Sequence, residues 1–193
     1  MPQSSRVVVL NGASSAGKTT IATGFRDQRA AVGDFWLLTG IDDVLVKLPS
    51  EWRSAGSDRG AFSADGVRFE RTPGGVTVRV GRVGRRLLRA YQAGVAAAAR
   101  VGVNVIVDEV VIDKTSWDDW VVALAGLEVV WVGIRCSAEV AEDRNRVRGD
   151  RFLGLARAQT ATAHLHTRYD FEIDTTTRTP AEAILELTRR LGI

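Results

Sequence analysis

Cysteine is close to absent from this chain. Among 193 residues there is one, Cys136, so no internal disulfide forms and no oxidising compartment is implied. Next to a strand end, it reads as a small buried apolar residue. Histidine is nearly as scarce. His164 and His166 are the only two, and neither has a cysteine or carboxylate cluster beside it, as a zinc site would need. Lysine gives way to arginine, which reads as coding bias. Neither sign of charge dominates: the formal net charge is +3, too small a surplus to indicate a nucleic-acid partner. No apolar run approaches the roughly 18 residues of a membrane span. The first one is short and leads straight into a glycine-rich loop, so no signal peptide is expected and cytoplasm is the default. Internal repeats and long linkers are also missing. What remains is 45% hydrophobic, enough for one globular domain over residues 1–193 with a sizeable core.

The strongest positive feature is Gly12-Ala13-Ser14-Ser15-Ala16-Gly17-Lys18-Thr19, which follows the apolar run Val7-Val8-Val9-Leu10. This is the P-loop pattern between a strand and a helix. Its backbone N–H groups and the helix N-terminus form a cradle for polyphosphate. Lys18 reaches the β- and γ-phosphates, and Thr19 offers a hydroxyl to Mg²⁺. Thr20 completes the nucleotide-binding run.

Strand and helix signals then alternate. Strands are expected at 6–11, 35–38, 103–107, 128–134 and 171–173. Helices are expected at 18 to about 28, 87–100, 116–124, 138 to about 147, 153–162 and 180–190, the last with Thr179 as N-cap. Uniformly apolar strands alternating with helices predict an α/β fold with a parallel sheet covered on both faces. The apolar face of residues 87–99 suits either the core or a subunit contact, so a homo-oligomer is compatible with it.

Residues 49–86 break the pattern. Two alternating runs, 67–70 and 76–80, flank Pro73-Gly74-Gly75 and predict a hairpin. Nine arginines and four acidic residues fall between residues 50 and 89. This stretch reads either as a solvated excursion or as a wall over an acceptor pocket. Trp52 lies within it and is a candidate for stacking on a flat acceptor. Trp36, Trp117, Trp120 and Trp131 read as core or pocket wall.

Three further groups of residues carry chemistry. Asp42 falls at the carboxyl end of the second strand, where ligands collect in open α/β sheets. A carboxylate there can take the proton of an attacking hydroxyl. Its neighbour Asp43 reads as a cap. Asp108-Glu109 closes another central strand, and Asp108 is the preferred Mg²⁺ ligand because it comes first after that strand. Arg144 and Arg148 share a helical face. With Arg151 they form a lid segment around 144–153, suited to stabilising a phosphoryl group in transfer. Thr175, in the loop after the last strand, is placed to contact the nucleotide base.

These motifs resemble the chloramphenicol phosphotransferase family of small P-loop kinases over nearly the whole chain. The matching stretches are Leu10 to Lys18, Gly40-Ile41-Asp42, Ile106 to Val110, Trp131 to Cys136 and Arg148 to Arg151, with Ala158-Gln159 and Asp174-Thr175-Thr176 as further landmarks. The resemblance implies a three-layer fold with a five-stranded parallel sheet of nucleoside-monophosphate-kinase type. It implies ATP and Mg²⁺ as cofactors, and phosphorylation of a small hydroxylated antibiotic such as chloramphenicol, giving resistance. Asp42 matches the family's catalytic aspartate, Lys18 and Thr19 its phosphate and Mg²⁺ positions, and Arg144, Arg148 and Arg151 its lid segment. Departures concentrate between residues 47 and 92, the region expected to read the acceptor, so a different antibiotic, nucleoside or intermediate is compatible. Two other readings stand beside this one: a kinase of a nucleotide, nucleotide sugar or nucleic-acid end, and a nucleotide-gated regulatory protein.

Overall fold

The computed structural model describes residues 5–55, 58–72, 75–148 and 154–193. Its centre is β1 (Arg6–Asn11), in which Val7, Val8, Val9 and Leu10 are wholly buried. Two strands pair with it in parallel: β7 (Asn104–Glu109), with Val7 opposite Val105, and β8 (Glu128–Arg135), with Val7 opposite Val129. Outside them lie β2 (Trp36–Gly40) and β9 (Phe171–Asp174), giving the order β2-β7-β1-β8-β9. All four pairings are parallel.

Strand parity divides the core into two. Val8, Leu10, Ile106 and Ile134 face Ile21 and Phe25 of α1 (Lys18–Ala30) and Ile184 and Leu187 of α7 (Pro180–Leu191). Val7, Val9, Val105 and Val107 face Val95, Ala96 and Ala99 of α3 (Arg82–Arg100) and Trp120 of α4 (Lys114–Ala123). Each such side chain contributes roughly 1.5–3 kcal/mol when withdrawn from water. The result is the expected three-layer α/β fold. The apolar face of α3 is spent on this core.

Several boundaries differ from the sequence expectation. α3 starts at Arg82 rather than residue 87, so the excursion ends at Gly81. Its first turn is held by Arg85, whose guanidinium donates to both carboxylate oxygens of Asp113. Asp113 also caps α4 by accepting from the Ser116 N–H, which moves that helix start to Lys114. Asp108 and Glu109 are the last two residues of β7, not residues beyond it. At the other end of the chain, Thr179 and Glu182 form a reciprocal N-cap as expected.

Between α2 (Ile41–Leu45) and α3 come a short helical turn, Ser50–Trp52, and the small pair β3 (Ser54–Ala55) and β4 (Asp58–Arg59). The hairpin follows, with β5 (Val67–Thr72) antiparallel to β6 (Gly75–Val80). Of the three residues predicted at its tip, Gly75 opens β6, while Pro73 and Gly74 lie outside the described set. Trp52 packs on Phe62 with ring centres 5.1 Å apart. It is therefore committed to the excursion's own core and lines none of the clefts described below. Of the other four tryptophans, Trp36 and Trp120 are core residues, one of the two places expected for them, packed on Phe25 and Tyr91, while the half-buried Trp117 packs on Trp131.

Candidate active site

The loop from Gly12 to Lys18 joins β1 to α1. Ser15 has φ 60° and Gly17 φ 93°. Left-handed residues of this kind turn successive amides inward to make an anion nest, and Gly17 carries the strain at no steric cost. Lys18 is buried, and its Nζ donates to Ala13 O at 2.8 Å while standing 3.7 Å from Asp108 Oδ1. The Thr19 hydroxyl bonds the other Asp108 oxygen. Not every amide of the run faces the cradle: Gly12 N–H donates to Glu109 O and Ala16 N–H to Ala13 O.

Strand parity assigns the two acids of β7 opposite roles. Asp108 shares a face with Ile106 and emerges on the side of α1. Glu109 points to the other side, where its carboxyl accepts from Trp120 Nε1 at 3.1 Å and Val110 N–H at 2.9 Å. Burial pushes Glu109 up to about 8, so at neutral pH it holds its proton. Asp108 is thus the member of the pair that reaches the site, because of its register in the strand rather than because it follows it.

Asp42 occupies the first turn of α2, just past the tip of β2. Gly40 fixes its approach: a Cβ there would meet Asp108 O at 2.9 Å. Asp43 accepts from the Gly40 N–H at 2.9 Å, the capping role expected of it. Asp42 then lines a narrow cleft of about 50 Å³ together with Ser14, Lys18, Thr19, Asp108 and Arg148. Phe69 and Val78 of the hairpin close it on one side, and Val110 and Ile112 on another.

A second cleft, about 600 Å³, lies on the far side of the loop. Ser15, Gly17, Lys18, Thr19 and Thr20 form its floor, and its walls include Arg144, Arg148, Thr175 and Pro180. Arg144, from α5 (Ala138–Arg148), donates to both the hydroxyl and the carbonyl of Thr175. It also stands 3.5 Å from the half-buried Cys136 sulfur. Thr175 in turn donates to Ala16 O. The sequence-expected pair Arg144 and Thr175 is therefore one unit, fastened to the P-loop. Arg148 is exposed and lines both clefts. Arg151, the other expected lid arginine, lies outside the described residues.

Two residues here had no role assigned from sequence. The Ser14 N–H donates to Gln159 Oε1 at 2.8 Å, which places Gln159 of α6 (Leu155–Thr162) beside the phosphate loop. Asn11, fully buried, accepts from Val111 N–H and donates to Ala163 O and the Tyr169 hydroxyl. Gln159 was marked only as a landmark of the resemblance. Its separation of 145 positions from Ser14 leaves no periodic signal of their meeting. His164 stands behind this network, its Nδ1 2.6 Å from the Tyr169 hydroxyl. Among the described residues no group of three or more His, Cys, Asp or Glu is arranged to hold a metal. A P-loop divalent cation needs only the Thr19 and Asp108 oxygens, with phosphate and water completing its shell, and those two oxygens are side by side.

The sheet order, the phosphate loop and the carboxylates at neighbouring strand tips define a kinase of the P-loop class. The chain belongs to the chloramphenicol phosphotransferase-like family, which it matches over residues 5–192. A Mycobacterium tuberculosis H37Rv protein provisionally named an O-phosphotransferase is 34% identical, covering 99% of this chain and 82% of that one. The counterpart in strain CDC 1551 is identical to the same degree over the same shares. Among solved structures, the M. tuberculosis APS kinase with AMPPNP and APS is similar with a TM-score of 0.67 at 15% identity, covering all of both chains. A gluconokinase from Sinorhizobium meliloti 1021 gives 0.57 at 17%, covering 100% of this chain and 94% of that one. These likenesses are of fold. Family and fold together make the protein an ATP-dependent phosphotransferase acting on a small molecule. No described helix is long and apolar enough to cross a membrane.

Proposed function

We propose that the protein transfers the γ-phosphoryl group of ATP to an alcohol of a small, largely apolar molecule, with Asp42 as general base. The observation carrying this reading is that Asp42 shares one narrow cleft with Lys18 and Arg148, closed by Phe69, Val78, Val110 and Ile112. The Asp42 carboxylate takes the hydroxyl proton as the oxygen attacks the γ-phosphorus. A new O–P bond forms, the bond to the β-bridging oxygen breaks, and ADP leaves. Lys18 leaves the Ala13 carbonyl to hold β/γ oxygens. Arg148 and Arg151 cover the group in transfer and exclude water, which would otherwise compete as acceptor. Thr19 and Asp108 would hold Mg²⁺, which supplies charge neutralisation at the β/γ oxygens. The hairpin of residues 67–80 serves as the acceptor wall, and Arg144 with Thr175 as the base-side wall.

Charge pairing favours a neutral reacting end over a phosphorylated one. Several arginines between residues 50 and 89, in the hairpin and the first turns of α3, are held by the protein's own acids. Arg68 and Arg79 share Glu70, Arg82 pairs with Asp65, Arg85 with Asp113 and Arg89 with Asp119. That argues against a nucleotide or a nucleic-acid end as acceptor. The first test is incubation with radiolabelled ATP and chloramphenicol, then with a panel of hydroxylated antibiotics, with labelled product read by chromatography. Product with chloramphenicol supports the narrow reading, and its absence at high enzyme concentration removes that compound. If no alcohol is labelled while phosphorylated acceptors are, the alcohol reading is wrong.

A further inference from the structure

A larger chamber adjoins the narrow cleft. It has a volume of about 540 Å³ and lies between the hairpin, the loop after β7 and α6. Val78, Val110, Ile112 and Gln159 line both it and the narrow cleft at Asp42, so the two are neighbours. The narrow part holds little more than a reacting group. The wide part is of the size that encloses a drug-sized body.

Gln159 stands at the junction. Its Oε1 is spent on the Ser14 N–H, which fixes the carboxamide's orientation. Its Nε2 has no acceptor among the described residues and is available to a polar atom of a ligand passing from one part to the other. Beyond it the walls are mostly aliphatic, among them Val76, Val111, Ala158 and Ala163. The charged residues in the lining are Arg79 and Arg157, with no acid among them. Arg79 is shared with Glu70 at 3.3 Å. The Arg157 guanidinium, exposed on α6, pairs with no acidic side chain among the described residues. Among the described residues, Arg157 is the lining cation that shares no acidic side chain, and it matches one anionic charge. A doubly charged phosphate would need more.

We infer that the chamber beyond Gln159 is the distal part of the acceptor site, and that it takes the apolar body of an alcohol whose far end carries a single carboxylate. This rests on the alcohol-kinase reading for the hydroxyl end only; the anion preference is a property of binding. Unlike chloramphenicol, such an acceptor is an acid.

The test uses four probes with one hydroxyl and one aromatic body: para-(hydroxymethyl)phenylpropanoate and the corresponding carboxamide, primary amine and phosphonate. Binding to the whole protein with AMPPNP and Mg²⁺ is measured by calorimetry, and turnover with ATP by product analysis. The carboxylate is expected to bind about tenfold tighter than the carboxamide, the scale of one charge-assisted hydrogen bond. The amine should bind weakest and the phosphonate no better than the carboxylate. Arg157→Ala should erase the carboxylate's advantage, and Arg157→Glu should pass it to the amine. Arg189→Ala, on α7 and paired with Glu186, should leave the series unchanged. Equal binding across the series, a tighter phosphonate, no binding of any probe, or a preference surviving Arg157→Glu overturns the inference. Carboxylate-selective binding without turnover leaves the chamber assigned and counts against the alcohol-kinase reading. Turnover without selectivity does the reverse.

Discussion

The proposed function divides this molecule into a donor side and an acceptor side, and the two are built differently. The donor side is a set of strand and helix ends bound together by hydrogen bonds. Thr175 ties the loop after β9 to Ala16, Arg144 ties α5 to Thr175, and Thr19 ties α1 to Asp108. The proposed acceptor side is a hairpin whose Phe69 and Val78 line the narrow cleft while Arg68 and Arg79 share Glu70. Fixed polar geometry suits a ligand part that never changes, the polyphosphate. An apolar wall tolerates exchange of side chains of similar volume, and so suits a part that differs between relatives.

The largest effect expected from this contrast comes from the carboxylate between the two sides. Asp42→Asn should lower kcat about 1,000-fold, within the range for loss of a general base, while AMPPNP affinity changes by less than about twofold. Steady-state kinetics with titration calorimetry checks it. An equal loss in nucleotide affinity would put Asp42 on the donor side and break the division. Next comes the residue that belongs to both sides. Asn11→Ala leaves Val111 N–H, Ala163 O and the Tyr169 hydroxyl without their partner. At about 1–3 kcal/mol for a buried polar group left unsatisfied, denaturant unfolding should show a loss of about 3 kcal/mol. A smaller step isolates the donor side. Arg144→Ala should weaken nucleotide binding about tenfold, the cost of roughly one charged hydrogen bond, without changing the acceptor KM.

The smallest expected effect is one of pH. Burial, and then the Arg135 charge, hold the His164 imidazole down at about 4, against an ordinary value of 6.5. The unfolded chain therefore binds this proton first as pH falls. Stability attributable to His164 is full above pH 6.5 and is lost as pH falls toward about 4, where both states become protonated. Denaturant midpoints for His164→Asn across that window should show a shallower slope than the parent. An unchanged slope would mean the ring is not shielded at the base of α6.

The same division governs what could be read from sequence. The donor side was legible because its signals are local. A P-loop is eight consecutive residues, and its flanking strand and helix follow from periodicity. Asp42 and Asp108 stood out as candidates by their places at strand tips, and both line one cleft, although β7 runs on to include Asp108 and Glu109. Only the strand's parity separates the acid that faces the site from the one buried against Trp120. The hairpin was legible from its alternation, but its purpose was not. Trp52 looked available for a ligand, yet it packs on Phe62. Gln159 and Asn11 meet their partners across about a hundred residues or more, a separation that leaves no trace in any window of sequence. The early start of α3 was hidden in an arginine-rich run whose helical turn depends on Asp113, 28 residues beyond Arg85.

Asn11 gives this architecture one more property. It hangs the loop after β7 and the end of α6, two sides of the acceptor chamber, from the strand that launches the phosphate loop. The hairpin supplies the remaining side as one contiguous stretch of the chain. On the proposed reading, the part of acceptor choice that this wall controls can be exchanged by itself, while Arg157 and Gln159 of α6 stay with the chamber's frame and the energy source. A chimaera carrying a relative's counterpart of residues 49–81 is then expected to accept a different apolar body while burning the same fuel.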